Sequence, residues 1–386
     1  MLLNTLSFLL ASFTIGGGAA DQAQGVRSAM LVGRSVPAAV ASGPRPAAVP
    51  ALAATVTAAS TTAIQVSGLS DDGFRAYLPR LRQAALAEGV RPETIDRIFP
   101  TLAFSPRTVQ LDRQQPGGAP GTASPPFAPY LARHVTPSLV AQGRSRYADN
   151  IGALNVIRQR YGVDPSVVVA IWGKETSFGR IMGDFDLLNS LASLAYDGRR
   201  RDLFTTEFVA TLKMAERGFS RSTLKGSWAG ATGQSQFLPS VYIRLGVDGD
   251  GDGRADIWNS HIDALASIAN YLSNAGWRPN VPWGVEARVP AGFDRAAVRN
   301  NLRAPRCARV FDRHSRWLSM AEWRRLGVVP TGSARIADTE MASLLEPDGP
   351  GAPAYLLTQN YRVILDYNCS NFYGLTVALL ADRISR

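Results

Sequence analysis

Residues 166–172, SVVVAIW, run without a charge behind an Asp164–Pro165 pair, and three positions later the chain places a carboxylate, Glu175. Asp164 has the chemistry of a helix N-cap and Pro165 suits a first helical turn, so the run predicts a buried helix with Glu175 near its C-terminal end. Trp172 at i−3 and Phe178 at i+3 are expected on the face of Glu175, where they would thin out its water. Desolvation raises a carboxyl pKa and keeps the group protonated near neutral pH, the state a general acid needs. The alternative is a solvated helix residue paired with Lys174 or Arg180, the commoner fate of a lone Glu.

With 386 residues, 46% of them apolar and 19% charged, the chain can bury a large core. Residues 1–20 open with MLLNTLSFLLASFTI and close on GGGAA. They read as a secretory signal peptide, too short for a comfortable membrane span, and left uncleaved they would be the chain's one route to a membrane. Residues 21–68, rich in Ala, Pro, Ser and Thr, read as a disordered tether. Helical spacing of Phe74, Leu78, Leu81 and Leu86 marks the start of ordered structure. A low-complexity patch at 115–126 reads as a loop insertion.

The formal charge of +10 is carried almost wholly by arginine, the only lysines being Lys174, Lys213 and Lys225. A basic exterior suits an anionic polymer. The arginines are scattered and not gathered with aromatics on one helix, so nucleic acid is not the expected partner. Cys307 and Cys369 are the only cysteines, and pairing them would close a loop worth about 4 kcal/mol at best. His134, His261 and His314 are far apart and have no zinc-ligand spacing.

In VDGDGDGRADIWN, Asp248, Asp250 and Asp252 alternate, followed by Gly253, Arg254 and Asp256. These are positions one, three, five, six, seven (a backbone carbonyl) and nine of an EF-hand loop, a pattern that gathers oxygens around a hard cation. Position twelve is Asn259 where a bidentate Glu is usual, and Asp263 on the next helix is the substitute. Ser260 and Asp263 also read as a capping box. A single loop of this kind predicts a structural Ca²⁺, the alternative being an acidic turn without metal; no organic cofactor is expected.

IWGKETSFG, LASLAYDGRRR, LKGSWAGATGQSQFLPSVY, the aspartate loop, ALASIANYLSNAGW and ILDYNCSNFYGLTVALLADRI follow one another in this order. Together they resemble the lytic murein transglycosylase B family, from about residue 69 to the C-terminus. The resemblance implies a lysozyme-like core that cleaves the β-1,4 bond between N-acetylmuramic acid and N-acetylglucosamine in peptidoglycan and leaves 1,6-anhydromuramic acid ends. It makes Glu175 the catalytic acid, then base. It puts Ser227, Gln236, Tyr271, Tyr367, Asn368, Tyr373 and Tyr130 in the glycan site, residue types that suit sugar rings and their N-acetyl and hydroxyl groups. It also makes the loop aspartates the metal ligands. Glycan strands are the implied partner, with cell-wall synthases or amidases as possible protein partners, and the implied place is the periplasm or cell envelope.

The expected fold is mainly α (α+β): an N-terminal helical unit at 69–137, a lysozyme-like core with the calcium loop at 138–282, a small antiparallel β unit at 283–370, and a C-terminal helix at 371–386 that returns to the core. Strand-like composition falls on GVEARVP, AYLLT and YRVILDYN, the last two separated by Gln359 and Asn360. Two other functions stay open. A hydrolytic muramidase needs a second carboxylate across the cleft, with Asp184, Asp186 and Asp197 as candidates, although Asp197 reads better as a partner of Arg199 or Arg200 or as the cap of a turn. A non-catalytic peptidoglycan-binding protein would have no need of Glu175.

Overall fold

The helix anticipated behind Asp164 forms as Pro165–Thr176, with Asp164 Oδ1 accepting from the Ser166 amide at 2.8 Å. Every residue in it except Lys174 is buried, because the apolar run leaves almost no polar face to turn to water. Helices Pro137–Asp149, Ile151–Tyr161, His261–Asn274 and Asn371–Ile384 pack around it. The structure, a computed structural model, describes residues 68–115, 126–301, 304 and 306–386. The signal peptide, the tether up to residue 67 and residues 116–125 of the low-complexity patch lie outside the described residues. Among the described residues no helix is long and apolar enough to cross a membrane.

The first helix of the described residues is Asp71–Ala87, whose N-cap Ser70 accepts from the Gly73 amide at 3.0 Å. Phe74 and Leu81 face the core as expected, but Leu86 is exposed and Ala85 takes the buried position, four residues after Leu81. Pro92–Ile98, Pro106–Arg113 and Phe127–His134 follow. Asp112, fully buried on the helix Pro106–Arg113, ties that helix to the core by ion pairs to Arg199 and Arg200. Asp197 therefore pairs not with its neighbours but with Arg113, at 2.6 Å.

Two short strands, β1 (Phe185–Asp186) and β2 (Lys225–Gly226), pair antiparallel near the helical core. A second sheet comprises β3 (Gly284–Arg288), β4 (Leu318–Ser319), β5 (Val329–Pro330), β6 (Met341–Leu345) and β7 (Ala354–Leu357) in the antiparallel order β4-β6-β7-β3-β5. Strand β7 is buried on both faces. Ala354 and Leu356 join a satellite core around Met320 and Trp323, whereas Tyr355 and Leu357 join the main core. The alternation of a strand thus welds the sheet to the helices.

The second strand expected beside AYLLT is not a strand. YRVILDYN belongs to the helix Gln359–Tyr367, and Gln359 and Asn360 are its first turn, capped by Thr358. Tyr361, Ile364 and Leu365 are buried at i, i+3 and i+4, a helical period masked by the β-branched look of Val363 and Ile364. The buried Asn360 amide secures the turn, accepting from the Arg278 amide and donating to the Arg278 and Val281 carbonyls. A disulfide joins Cys307 to Cys369, with their Cα atoms 5.4 Å apart.

Candidate active site

Glu175 sits one residue before the end of its helix. Ser177, Phe178 and Gly179 then adopt left-handed φ values of 50°, 62° and 82°, and the chain doubles back. Two successive non-glycine residues in that region store strain that the surroundings must hold in place. Phe178 is consequently not at i+3 of a continuing helix, as the spacing suggested; it returns to meet Trp172 edge to face, with ring centroids 5.4 Å apart. Gly173 makes room for it, since a Cβ there would lie 2.5 Å from the Phe178 ring. Gly173→Ala is expected to cost about 1–3 kcal/mol through overpacking, read as a lowered melting temperature, and to reduce activity by shifting Glu175. An unchanged melting temperature would refute that packing argument.

Gln234, which the sequence reading passed over for Gln236, secures this corner. Its Oε1 accepts from Trp172 Nε1 at 3.0 Å and its Nε2 donates to the Trp258 carbonyl at 3.2 Å. Thr176 Oγ1 lies 3.0 Å from the Gln234 carbonyl. The signal available in the sequence was the first glutamine of TGQSQF, in the same motif as the second.

The Glu175 carboxyl is buried, 8% exposed, and accepts a hydrogen bond of 2.6 Å from the Tyr373 hydroxyl. Burial pushes its pKa up to about 7, against the opposing pull of that hydrogen bond and of the Lys174 charge. Lys174 is itself lowered to about 8 by burial. Its Nζ stands 5.6 Å above the Tyr130 ring, which stacks on His134 at 3.8 Å and leans on Phe372. The Tyr130 hydroxyl is raised by burial and then by the Glu175 charge.

On the other side stands an aromatic wall. Tyr367 and Tyr271 meet at 4.9 Å between ring centroids, and Phe237 packs on both. The Tyr271 hydroxyl donates to the Asp366 carbonyl at 2.7 Å and the Tyr367 hydroxyl to the Ser235 carbonyl. Burial holds Tyr367 and Tyr373 well above the usual tyrosine range, with the Glu175 charge adding to it. Among the described residues Asn368 Oδ1 and Ser235 Oγ are buried without a hydrogen-bond partner, a condition that polar ligand groups relieve.

The structure brings Glu175, Tyr373, Tyr367, Tyr271 and Tyr130 together. Ser227 and Gln236 lie along the loop at 181–183, and no hydrogen bond joins either to Glu175. The Ser227 hydroxyl accepts from the Ala231 amide, and Gln236 Nε2 donates to the Met182 and Gly233 carbonyls. Asp186 is engaged by Arg221 at 2.6 Å and Asp197 by Arg113, while Asp184 is exposed.

In the aspartate loop, oxygens of Asp248, Asp250, Asp252 and Asp263 lie within 4.8 Å of one another. Asp263 is fully buried, and its carboxylate accepts from the amides of Gly249, Asp250 and Asp256. The capping box is thus only half formed: the Ser260 hydroxyl accepts from the Asp263 amide, but the Asp263 carboxylate faces the loop. Asp256 falls outside the cluster, its side chain accepting from the Trp258 and Asn259 amides, and the Arg254 carbonyl accepts from the Asp256 amide. Four carboxylates converging with one buried among them suit a hard, oxygen-seeking cation.

Residues 73–382 match the family described as the transglycosylase SLT domain. The chain belongs to that family. It is 31% identical over 306 residues to the membrane-bound lytic murein transglycosylase B of Escherichia coli (strain K12), covering 78% of this chain and 77% of that one. Among solved structures it is similar to SltB3 from Pseudomonas aeruginosa in complex with NAG-anhNAM-pentapeptide, at 40% identity and a TM-score of 0.72, over 81% of this chain and 79% of that chain. It is also similar to the Escherichia coli lytic transglycosylase SLT35 in complex with calcium, at 27% identity and a TM-score of 0.64, over 84% and 97%. The mainly helical, lysozyme-like fold with a small antiparallel sheet is the one these relatives share with it.

Proposed function

We propose that this lytic transglycosylase of peptidoglycan uses Glu175 alone as acid and then base, cleaving the β-1,4 bond between N-acetylmuramic acid and N-acetylglucosamine. The observation that carries the reading is the buried Glu175 carboxyl, held near pKa 7 and hydrogen-bonded by Tyr373. The protonated carboxyl gives its proton to the glycosidic oxygen as the bond from the anomeric carbon breaks, and the substrate's N-acetyl group supports the developing positive charge. The carboxylate then takes the proton of the muramic acid six-hydroxyl, whose oxygen bonds to the anomeric carbon. A 1,6-anhydro end forms, Glu175 is protonated again, and no water is consumed. A pKa near 7 suits both halves, since the group must give and recover a proton at similar cost. SltB3 has been captured with an anhydro ligand and with NAG-NAM-pentapeptide, which agrees with such a product.

In this reading Tyr271, Tyr367 and Asn368 form one wall for the sugars, Tyr130 the other, and Ser227 and Gln236 extend the cleft. Asp248, Asp250, Asp252 and Asp263 would hold a Ca²⁺ that fixes the loop against the helix His261–Asn274, which carries Tyr271. The sequence units at 69–137, 138–282, 283–370 and 371–386, and export to the periplasm or envelope, are part of the same proposal. Mass spectrometry of peptidoglycan digests tests the chemistry: anhydromuramic ends support it, and hydrated reducing ends would replace it with hydrolysis.

Tyr373→Phe removes a hydrogen bond that favours the carboxylate, so the Glu175 pKa is expected to rise. The alkaline fall in activity, set by loss of the Glu175 proton, should then move to higher pH. A limb that stays put or moves down would separate Tyr373 from the acid.

A further inference from the structure

Lys174 is the one residue of the Pro165–Thr176 helix that is not buried, yet burial still lowers its pKa to about 8. Among the described residues its ammonium has no carboxylate within ion-pair distance and no hydrogen-bond acceptor, only the Tyr130 ring. Lys213, by contrast, reaches Glu88 at 3.5 Å. A half-desolvated cation without an anion is costly, and a methionine of the same length would fit this apolar helix at less cost. The helix C-terminus offers some compensation, but it would do so for an exposed lysine as well. The groups facing the ammonium are Glu175, which must be protonated to act as the acid, the neutral Tyr130 phenol, and His134, whose pKa is lowered by burial. An arriving anion would complete the set.

The substrate read above carries such an anion close to the bond that breaks. Muramic acid differs from N-acetylglucosamine by a lactyl ether on the reacting ring. In peptide-free strands that arm ends in a carboxylate; in peptide-bearing strands it is an amide, and the peptide brings carboxylates of its own. We propose that Lys174 is a substrate-binding residue that receives a carboxylate of the muramic acid side arm, on the Tyr130 side of Glu175. The proposal rests on the reading of Glu175 as the acid and deepens it, giving the site a means to prefer charged over neutral side arms.

The test compares kcat/KM on three glycan strands: peptide-free, peptide-bearing, and peptide-free with the lactyl carboxyl converted to a methylamide. The wild type is expected to favour a carboxylate-bearing strand over the methylamide strand by about tenfold, as a charge-assisted hydrogen bond implies. Which of the two charged strands shows the preference identifies the lactyl or the peptide carboxylate. Lys174→Met should bring the ratio to about one, and Lys174→Arg should keep it. Product from the methylamide strand reports that the methionine variant is folded, and Lys174→Gln repeats the measurement with a polar side chain. The same ratio in wild type and Lys174→Met, or no preference in the wild type, overturns the proposal. Failure of the wild type to cut any strand would instead remove the reading of Glu175 beneath it.

Discussion

Glu175→Gln is expected to lower turnover of peptidoglycan by about 10³-fold or more, since it removes the only proton carrier assigned to both halves of the reaction. Glutamine keeps the shape and an oxygen that can still accept from Tyr373, so the fold should survive. It should in fact gain stability at alkaline pH. The folded-state pKa is raised from 4.5 to about 7, so the folded chain holds a proton that the unfolded chain has released between those values. Stability from this group is therefore fully present below about 4.5 and lost as pH rises through about 7, by up to about 3 kcal/mol. The variant lacks that loss. Melting temperatures at pH 5 and pH 8, beside product analysis at both, check the two halves together. Near-normal turnover would remove Glu175 from its role, and an identical pH dependence of stability in both proteins would mean the carboxyl is not desolvated.

The second large effect is expected at Asp263. Removing its carboxylate by Asp263→Ala leaves the amides of Gly249, Asp250 and Asp256 without their acceptor and takes the buried member from the four-carboxylate cluster. A loss of about 3 kcal/mol is expected from the unsatisfied donors alone. In addition, a calcium chelator should lower the melting temperature of the wild type and leave Asp263→Ala unmoved. A ligand present at about a hundred times its Kd adds roughly 2.7 kcal/mol to the folded state, which sets the size of that shift. Asp263→Asn separates the causes, because it retains an acceptor but not the charge. If the chelator moves neither wild type nor variant, the loop is an acidic turn held by its own hydrogen bonds.

What could be read from the sequence was whatever is encoded locally. The Asp164 cap, the apolar run and the helix at 371–384 follow from side chains within a turn or two of one another, and the structure places them where the spacing did. The errors share a cause in tertiary partners. YRVILDYN has the composition of a strand but is a helix, fixed by Asn360 reaching residues some eighty positions earlier. Phe178 left the expected helical register because Gly173 opens a slot for its ring. Asp197 passed over two adjacent arginines, which were already held by Asp112. Gln234 and Gln236 are chemically alike on paper, and only the position of Trp172 makes the first of them a brace. The glycan-site residues came from resemblance; in the structure Tyr373 bonds to Glu175 and Tyr271 packs on Tyr367, whereas Ser227 and Gln236 are bonded to the backbone of nearby loops.

The hydrogen bond between Glu175 and Tyr373 joins residues 198 positions apart. A ribosome therefore makes the proposed acid long before it makes the phenol that hydrogen-bonds it, and the helix Asn371–Ile384 supplies that phenol together with much of the packing that keeps water from the carboxyl. An emerging chain thus carries an ordinary, solvated glutamate. With Glu175 as the proposed acid, the cutting edge is assembled only when the far segment arrives, so a product cut short before that helix would lack the chemistry along with the fold, and a half-made copy would pose no danger to the wall.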